Sequence, residues 1–218
     1  GHAYAADAIE NGASALLVDD FLPIAINQAK TTDTRLGLAR VAKAFHGRPD
    51  ESMGLIGVTG TDGKTTTSSL IAWILRRAGF KTGEITTADI STGDGARPNV
   101  VHQTTPSSLE LQEALGEMRD RNVRWAVVET TSHGLHQHRV TGFAFNRAVF
   151  TAITHEHLDY HGTLEDYVEA KARLLDIQAE TSDGEWGKAA ILPRDDANWE
   201  VLRGRVRGRT IGYGRAND

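Results

Sequence analysis

The 218-residue sequence predicts an α/β fold built on a mostly parallel sheet, and three observations carry that expectation. From Gly54 onward short apolar runs alternate with helical repeats, as strands joined by crossover helices do. The first run, Gly54 to Thr59, leads straight into a glycine-rich loop and then a helix. Trp125 to Val128 is a continuous apolar run, the kind buried by a sheet that is covered on both faces.

Taken in order, residues 5–10 read as the end of a helix, Asn11-Gly12 as its stop, and residues 14–20 as a short strand. A second short strand is expected around Ile24 to Asn27. Thr34 to Phe45 is expected to be a helix, because Leu36, Leu38, Val41, Ala42 and Phe45 recur near helical spacing. Residues 1–50 are few for an independent core and read as the closing part of a partial α/β N-terminal domain. His46 to Ser52, rich in Gly, Pro and charge, reads as a linker to a second domain over 51–218.

In that second domain a strand over 54–59 is followed by a helix over 65–78, which Gly79 ends, and by a strand near Thr82 to Thr86. Residues 88–103 (ADISTGDGARPNVVHQ) are too polar and glycine-rich to pack as an element and are expected to form a functional or mobile loop. A helix from Ser107 to about Asn122 follows Thr105-Pro106, with Ser107 and Glu110 spaced as a capping box. Strands over 125–130 and 147–153, a helix over 164–178, a strand over 189–193 and a last strand near Thr210 to Tyr213 complete the order.

Composition narrows the function classes. Net charge is −5 and the basic residues are spread along the chain, which argues against nucleic acid as a partner. With no cysteine there is neither a disulfide framework nor a thiolate zinc site, so histidine, carboxylate and hydroxyl must supply any metal ligands. No apolar run approaches the ~20 residues of a spanning helix. The expectation is a cytoplasmic protein, read as a monomer, with no membrane partner.

The loop GVTGTDGKTTT, Gly57 to Thr67, is the strongest chemical signal. Where a buried parallel strand enters a helix, backbone N–H groups and the positive end of the helix converge on one place, which suits a polyphosphate. Gly60, Thr61, Asp62 and Gly63 form the cradle, Lys64 is placed to bridge phosphates, and the Thr65 hydroxyl to reach Mg2+, with Thr66 beside it. The Walker spacing asks for glycine five residues before Gly63, yet Val58 stands there and Gly57 and Gly60 flank it. Glu129 closes the WAVVE strand at the end where open parallel sheets bind ligands, so it is the expected metal-supporting carboxylate. A rival reading starts from the six of nine histidines that fall between 133 and 161. His155, His157, Asp159 and His161 approach the H-x-H-x-D-H zinc box of metal-dependent hydrolases, although Tyr160 breaks the spacing by one residue.

Five stretches in order resemble the Mur ligase family: GVTGTDGKTTT, HQTTPSSLELQ, ETTSHGLHQHRV, VFTAITHEHLDYHG and YVEAKARLL. Glycines at the offsets of Gly57, Gly60 and Gly63 are that family's own pattern. Within the family the run Gln137-His138-Arg139 resembles the branch that adds the third amino acid, diaminopimelate or lysine, to UDP-N-acetylmuramoyl-L-alanyl-D-glutamate (UDP-MurNAc-L-Ala-D-Glu) in peptidoglycan synthesis. The resemblance implies a P-loop NTPase-like central domain after the end of a UDP-binding domain. It implies ATP and Mg2+ as cofactors, and amide formation through an acyl phosphate. The motifs match Thr65 and Glu129 to a first magnesium site, and His157 to a second, together with Lys171 as a carbamylated lysine; on residue type alone Lys171 reads as a surface lysine of a helix. Gln103, Thr104, Thr105, Thr131, Gln137 and Arg139 match positions that bind the muramoyl dipeptide. Ala152 stands where the family usually has asparagine, and Glu156 where it has aspartate. The family's C-terminal domain has no counterpart in these residues, so the expectation is a chain that binds but does not ligate alone. A nucleotide-binding module without ligase activity stays open beside the hydrolase.

Overall fold

The computed structural model describes residues 2–99, 103–182 and 184–215. A 3-10 turn at His2–Tyr4 leads into α1 (Ala5–Glu10), β1 (Ala15–Val18), β2 (Asn27–Lys30) and α2 (Thr34–Phe45). β1 and β2 pair in parallel as a separate two-stranded sheet. After a 3-10 turn at Pro49–Glu51 come β3 (Gly54–Thr59), α3 (Lys64–Arg77), β4 (Thr82–Ile85), β5 (Asp89–Ser91) and β6 (Ala96–Pro98). The chain continues through α4 (Ser108–Asp120), β7 (Trp125–Glu129), α5 (Ser132–His136), β8 (Phe145–Phe150) and α6 (Leu158–His161). It ends with α7 (Leu164–Glu180), β9 (Ala189–Pro193), α8 (Trp199–Arg205) and β10 (Arg209–Tyr213).

The main sheet has eight strands in the order β10-β9-β8-β3-β7-β4-β5-β6, parallel except for β5 and β6. β3 is buried along its whole length and lies between β7 and β8, with Val58 beside both Glu129 and Val149. Its face toward α4 and α7 holds the larger core, in which Leu55, Val128 and Phe145 meet Leu111, Leu115 and Leu174. The opposite face is covered by α3, where Ala72 packs on Ile56, Val58, Val127 and Val149. This two-faced burial explains why these strands read as unbroken apolar runs. The carboxyl end of β3, with strands added on either side of it, is the switch point where such sheets bind ligands.

Several expectations are corrected. Residues 88–103 are not a bare loop: β5 and β6 form an antiparallel edge hairpin, anchored by Ile85 pairing with Ile90. β2 begins at Asn27, so the apolar triplet before it is not the strand; Ile24 is 37% exposed. β8 covers 145–150 instead of 147–153. The supposed linker is packed. Asp50 is fully buried and its Oδ2 accepts from Lys43 Nζ and from the Ala144 N–H, each at 2.9 Å, while Lys43 also donates to the Gly142 carbonyl at 2.7 Å. That ion pair ties α2 to the start of β8. Among the described residues no helix is long and apolar enough to cross a membrane.

Candidate active site

The glycine loop is shaped by close packing as much as by turn geometry. A Cβ at Gly57 would lie 2.8 Å from Leu174 Cδ1, so the glycine lets α7 press against β3. Gly60 has φ +148° and a Cβ there would run into the Thr151 side chain. Gly63, at φ +76°, turns the chain into α3 as its N-cap. The Thr61 N–H donates to the Ala152 carbonyl at 2.8 Å, and the Thr61 hydroxyl exchanges hydrogen bonds with Thr154. Ala152 thus anchors the loop through its backbone, which any side chain at that position would leave intact. Lys64 heads α3 and folds its ammonium back onto the Thr61 carbonyl at 2.6 Å.

Glu129 ends β7 beneath that loop and is 1% exposed. Its carboxylate accepts from the Thr65 hydroxyl at 3.0 Å, from the Thr87 N–H at 3.0 Å and from the Thr87 hydroxyl at 3.2 Å. Among the described residues every hydrogen-bond partner of this buried carboxylate is neutral, an arrangement that leaves its charge to be met by a cation. A cleft of about 350 Å3 opens here, between the loop, Thr104, Thr131, Glu156 and His157. A larger cavity, about 650 Å3, lies at the amino end of the sheet beside Lys43, Asp50 and Trp186. The cleft at the carboxyl end is the one that combines a helix start, a lysine and an uncompensated carboxylate.

Lys171 is buried, 1% exposed, which corrects the surface lysine that residue type suggests. It occupies the core-facing stripe of α7 with Tyr167, Leu174 and Gln178. Its Nζ donates to the Gly60 carbonyl at 2.6 Å and lies 4.3 Å from the Tyr167 ring centroid. Burial, then the charge of Lys64, draws its pKa down to about 7, against the pull of Glu156. Tyr167 shares a hydrogen bond with Thr61 at 3.1 Å and donates to Glu156 at 3.3 Å; burial first, with Glu156 adding to it, pushes its pKa up to about 12. His157 adopts a left-handed conformation, φ +54°, and its ring lies 4.9 Å from that of His133. His161 is surrounded by the rings of His133, Tyr160 and Tyr167. Burial, then neighbouring His133 and His136, lowers its pKa to about 4, so it is neutral at pH 7. Among the described residues no three His, Asp or Glu side chains converge as a metal-holding group, and the zinc-box reading gains no support.

Arg139 organises the other side. Its Nη1 donates to Gln103 Oε1 at 2.7 Å and to the Thr105 carbonyl at 2.5 Å, and its Nη2 to Gln137 Oε1 at 2.6 Å. Gln137 in turn donates to the Tyr160 hydroxyl at 3.1 Å. Thr131 caps α5 by accepting from the Gly134 N–H at 3.0 Å. Thr105 is 1% exposed, and its hydroxyl accepts from the Thr131 N–H at 2.9 Å and donates to the Glu129 carbonyl at 3.1 Å. It braces the end of β7 against the start of α5.

Residues 58–218 match the family described as the Mur ligase middle domain. The chain belongs to the Mur ligase family. A UDP-N-acetylmuramoyl-L-alanyl-D-glutamate--2,6-diaminopimelate ligase of Geobacillus kaustophilus is 41% identical over 214 residues, covering 98% of this chain and 43% of its own length. A UDP-N-acetylmuramyl-tripeptide synthetase of Roseiflexus sp. is 40% identical over 93% of this chain and 42% of its own. A solved UDP-N-acetylmuramoyl-L-alanyl-D-glutamate--2,6-diaminopimelate ligase superposes with a TM-score of 0.78 at 32% identity, over 97% of this chain and 42% of that one. This Mur ligase chain therefore spans under half the length of these relatives.

Within this Mur ligase chain Thr61 to Thr66 and Glu129 line one cleft with His157, while Gly60 lies behind it with its carbonyl on Lys171. Gln103, Gln137 and Arg139 form a second group beside it. Thr87 was not foreseen. It lies in the polar segment after β4, and only the pairing of β4 with β7 brings it to Glu129. Arg35, from α2, was also missed, and it lines the cleft that holds Arg139.

Proposed function

We propose that this chain carries the ATP site and the acceptor-substrate site of a peptide ligase of peptidoglycan synthesis, acting on UDP-MurNAc-L-Ala-D-Glu in the cytoplasm. Residues 1–50 are the end of its UDP-binding domain and 51–218 its ATPase domain. The observation that carries the reading is the buried, cation-deficient Glu129 touching Thr65 at the head of α3, directly behind the glycine loop.

ATP phosphates fit the loop formed by Gly60, Thr61, Asp62 and Gly63, with Lys64 and Thr66 beside them. Lys64 leaves the Thr61 carbonyl to meet phosphate oxygens, and the open end of α3 faces the same anion. Hard oxygen donors at Thr65 and Glu129 fit Mg2+, which keeps most of its shell for water and phosphate. When bound there, Mg2+ neutralises charge on the phosphoryl group under transfer. A carboxylate oxygen of the substrate glutamate attacks the γ-phosphorus of ATP, the bond to the β-phosphate oxygen breaks, and ADP leaves behind an acyl phosphate. The amine of the third amino acid, diaminopimelate or lysine, then attacks the carbonyl carbon, and phosphate leaves.

Lys171 and His157 are assigned to a second ion. Lys171 is suited to the role because its amine is half neutral near pH 7. Addition of CO2 forms an N–C bond and releases one proton, leaving an anionic carbamate under Gly60. Gln103, Thr104, Thr131, Gln137 and Arg139 receive the muramoyl dipeptide, with Thr105 holding Thr131 in place. On this reading residues 1–218 carry binding sites for both ATP and the muramoyl dipeptide.

Calorimetric titration with UDP-MurNAc-L-Ala-D-Glu tests this. The chain is expected to bind it, and Arg139→Ala to lose that binding while still holding ATP with Mg2+. Absence of sugar-nucleotide binding by the unaltered chain would contradict the reading.

A further inference from the structure

Two guanidinium groups face a single small cavity that, among the described residues, no carboxylate lines. Arg35, in the first turn of α2, and Arg139, three residues past α5, bound a space of about 170 Å3 with Gln103, Gln137 and Ser107. Arg139 spends its donors on the neutral oxygens of Gln103, Gln137 and Thr105. The Arg35 side chain makes no hydrogen bond or ion pair among the described residues, although its backbone N–H does bond to Asp33. The nearest carboxylates are committed elsewhere. Asp33 caps α2, accepting from the N–H groups of Arg35 and Leu36 at 2.8 and 3.0 Å. Glu110 closes the capping box on Ser107 at 2.9 Å.

The juxtaposition costs free energy as it stands. After burial, the charge of Arg35 is the next cause holding the Arg139 pKa below its ordinary value. The thirteen-residue α4 begins at the same cavity, with Ser107 as N-cap, and adds the positive end of its dipole. Three sources of positive potential thus meet at a cavity whose nearest carboxylates, Asp33 beside Arg35 and Glu110 beside Arg139, offset them only from outside its lining. Like charges held together in this way are relieved by an anionic ligand.

We propose that Arg35 is an anion-binding residue that works with Arg139 as a clamp, gripping one phosphate or carboxylate group of the sugar-nucleotide substrate. The clamp rests on the substrate reading given above. It spans the seam between the N-terminal piece and the main sheet, because Arg35 belongs to α2 and Arg139 follows the helix after β7. An anion held there draws on both parts, so a substrate bound across the seam also fixes α2 against α5. The source of the anion is either the diphosphate of the nucleotide or the carboxylate of the glutamyl residue, and both offer the oxygen pair a guanidinium fork recognises.

The test uses the 218-residue chain and its Arg35→Ala and Arg35→Lys variants, titrated calorimetrically at low salt with UDP-MurNAc and with UDP-MurNAc-L-Ala-D-Glu. Arg35 is exposed, so neither variant disturbs the core. Arg35→Ala is expected to weaken binding about tenfold, with partial recovery in Arg35→Lys. Equal loss for both ligands identifies the diphosphate, and loss confined to the dipeptide form identifies the carboxylate. Unchanged affinity of Arg35→Ala for both ligands overturns the clamp while leaving the substrate reading standing. Failure of the unaltered chain to bind either ligand overturns both.

Discussion

The ammonium nitrogen of Lys171 lies 2.6 Å from the carbonyl oxygen of Gly60, so the one fully buried lysine among the described residues supports the glycine loop from below. With its pKa near 7, the amine is protonated below that pH and free above it. Carbamate formation is therefore expected to rise from about pH 6 to about pH 8, since only the neutral amine adds CO2. Carbon-13 NMR with labelled bicarbonate reads this directly. A carbamate resonance that grows with pH and vanishes in Lys171→Ala is expected, and no resonance at pH 8 in the unaltered chain would contradict the assignment.

The two loop glycines are expected to respond differently to alanine. At Gly63 a Cβ meets nothing within 4 Å, so Gly63→Ala carries only the strain of its positive φ, about 1 kcal/mol. At Gly60 the Thr151 side chain blocks the Cβ, so Gly60→Ala should cost at least ~3 kcal/mol. Urea midpoints at constant slope measure both, and equal losses would show that the loop is looser than the packing implies.

Asp50 and Lys43 lock α2 to the central sheet. Removing the carboxylate leaves the Ala144 N–H unpaired and Lys43 with Glu51, 3.0 Å away, as its remaining carboxylate, so Asp50→Ala is expected to destabilise the chain by about 1–3 kcal/mol. Asp20→Ala, which breaks the solvent-exposed pair with Lys30, should leave the urea midpoint unchanged. A small effect at Asp50 would mean that the segment between α2 and β3 is free to move.

Legibility in the sequence followed the strength of local signals. α2 and β3 match their expected limits, and α3 lies within one residue of them; their boundaries carry a capping aspartate, a glycine loop and a glycine stop. α5, α6 and α8, of five, four and seven residues, were not foreseen, since so short a helix shows no full apolar period. β5 and β6 have three residues each and are held by edge pairing to β4, information that local composition lacks. Within the site, Lys64, Thr65 and Glu129 were readable from motif and strand position. The burial of Lys171 was readable only by placing it on the apolar stripe of α7 with Tyr167, Leu174 and Leu175, instead of judging it as a lysine. Thr87 and Arg35 reach their sites through tertiary pairing alone.

The central claim is that the cleft at the carboxyl end of β3 holds the polyphosphate of ATP. Calorimetric titration of the unaltered chain and of Lys64→Ala with ATP and Mg2+ tests it most directly. The account predicts Mg2+-dependent binding by the unaltered chain and a loss of tenfold or more in Lys64→Ala, about 1.4 kcal/mol or greater. Equal affinity in the two proteins would contradict it.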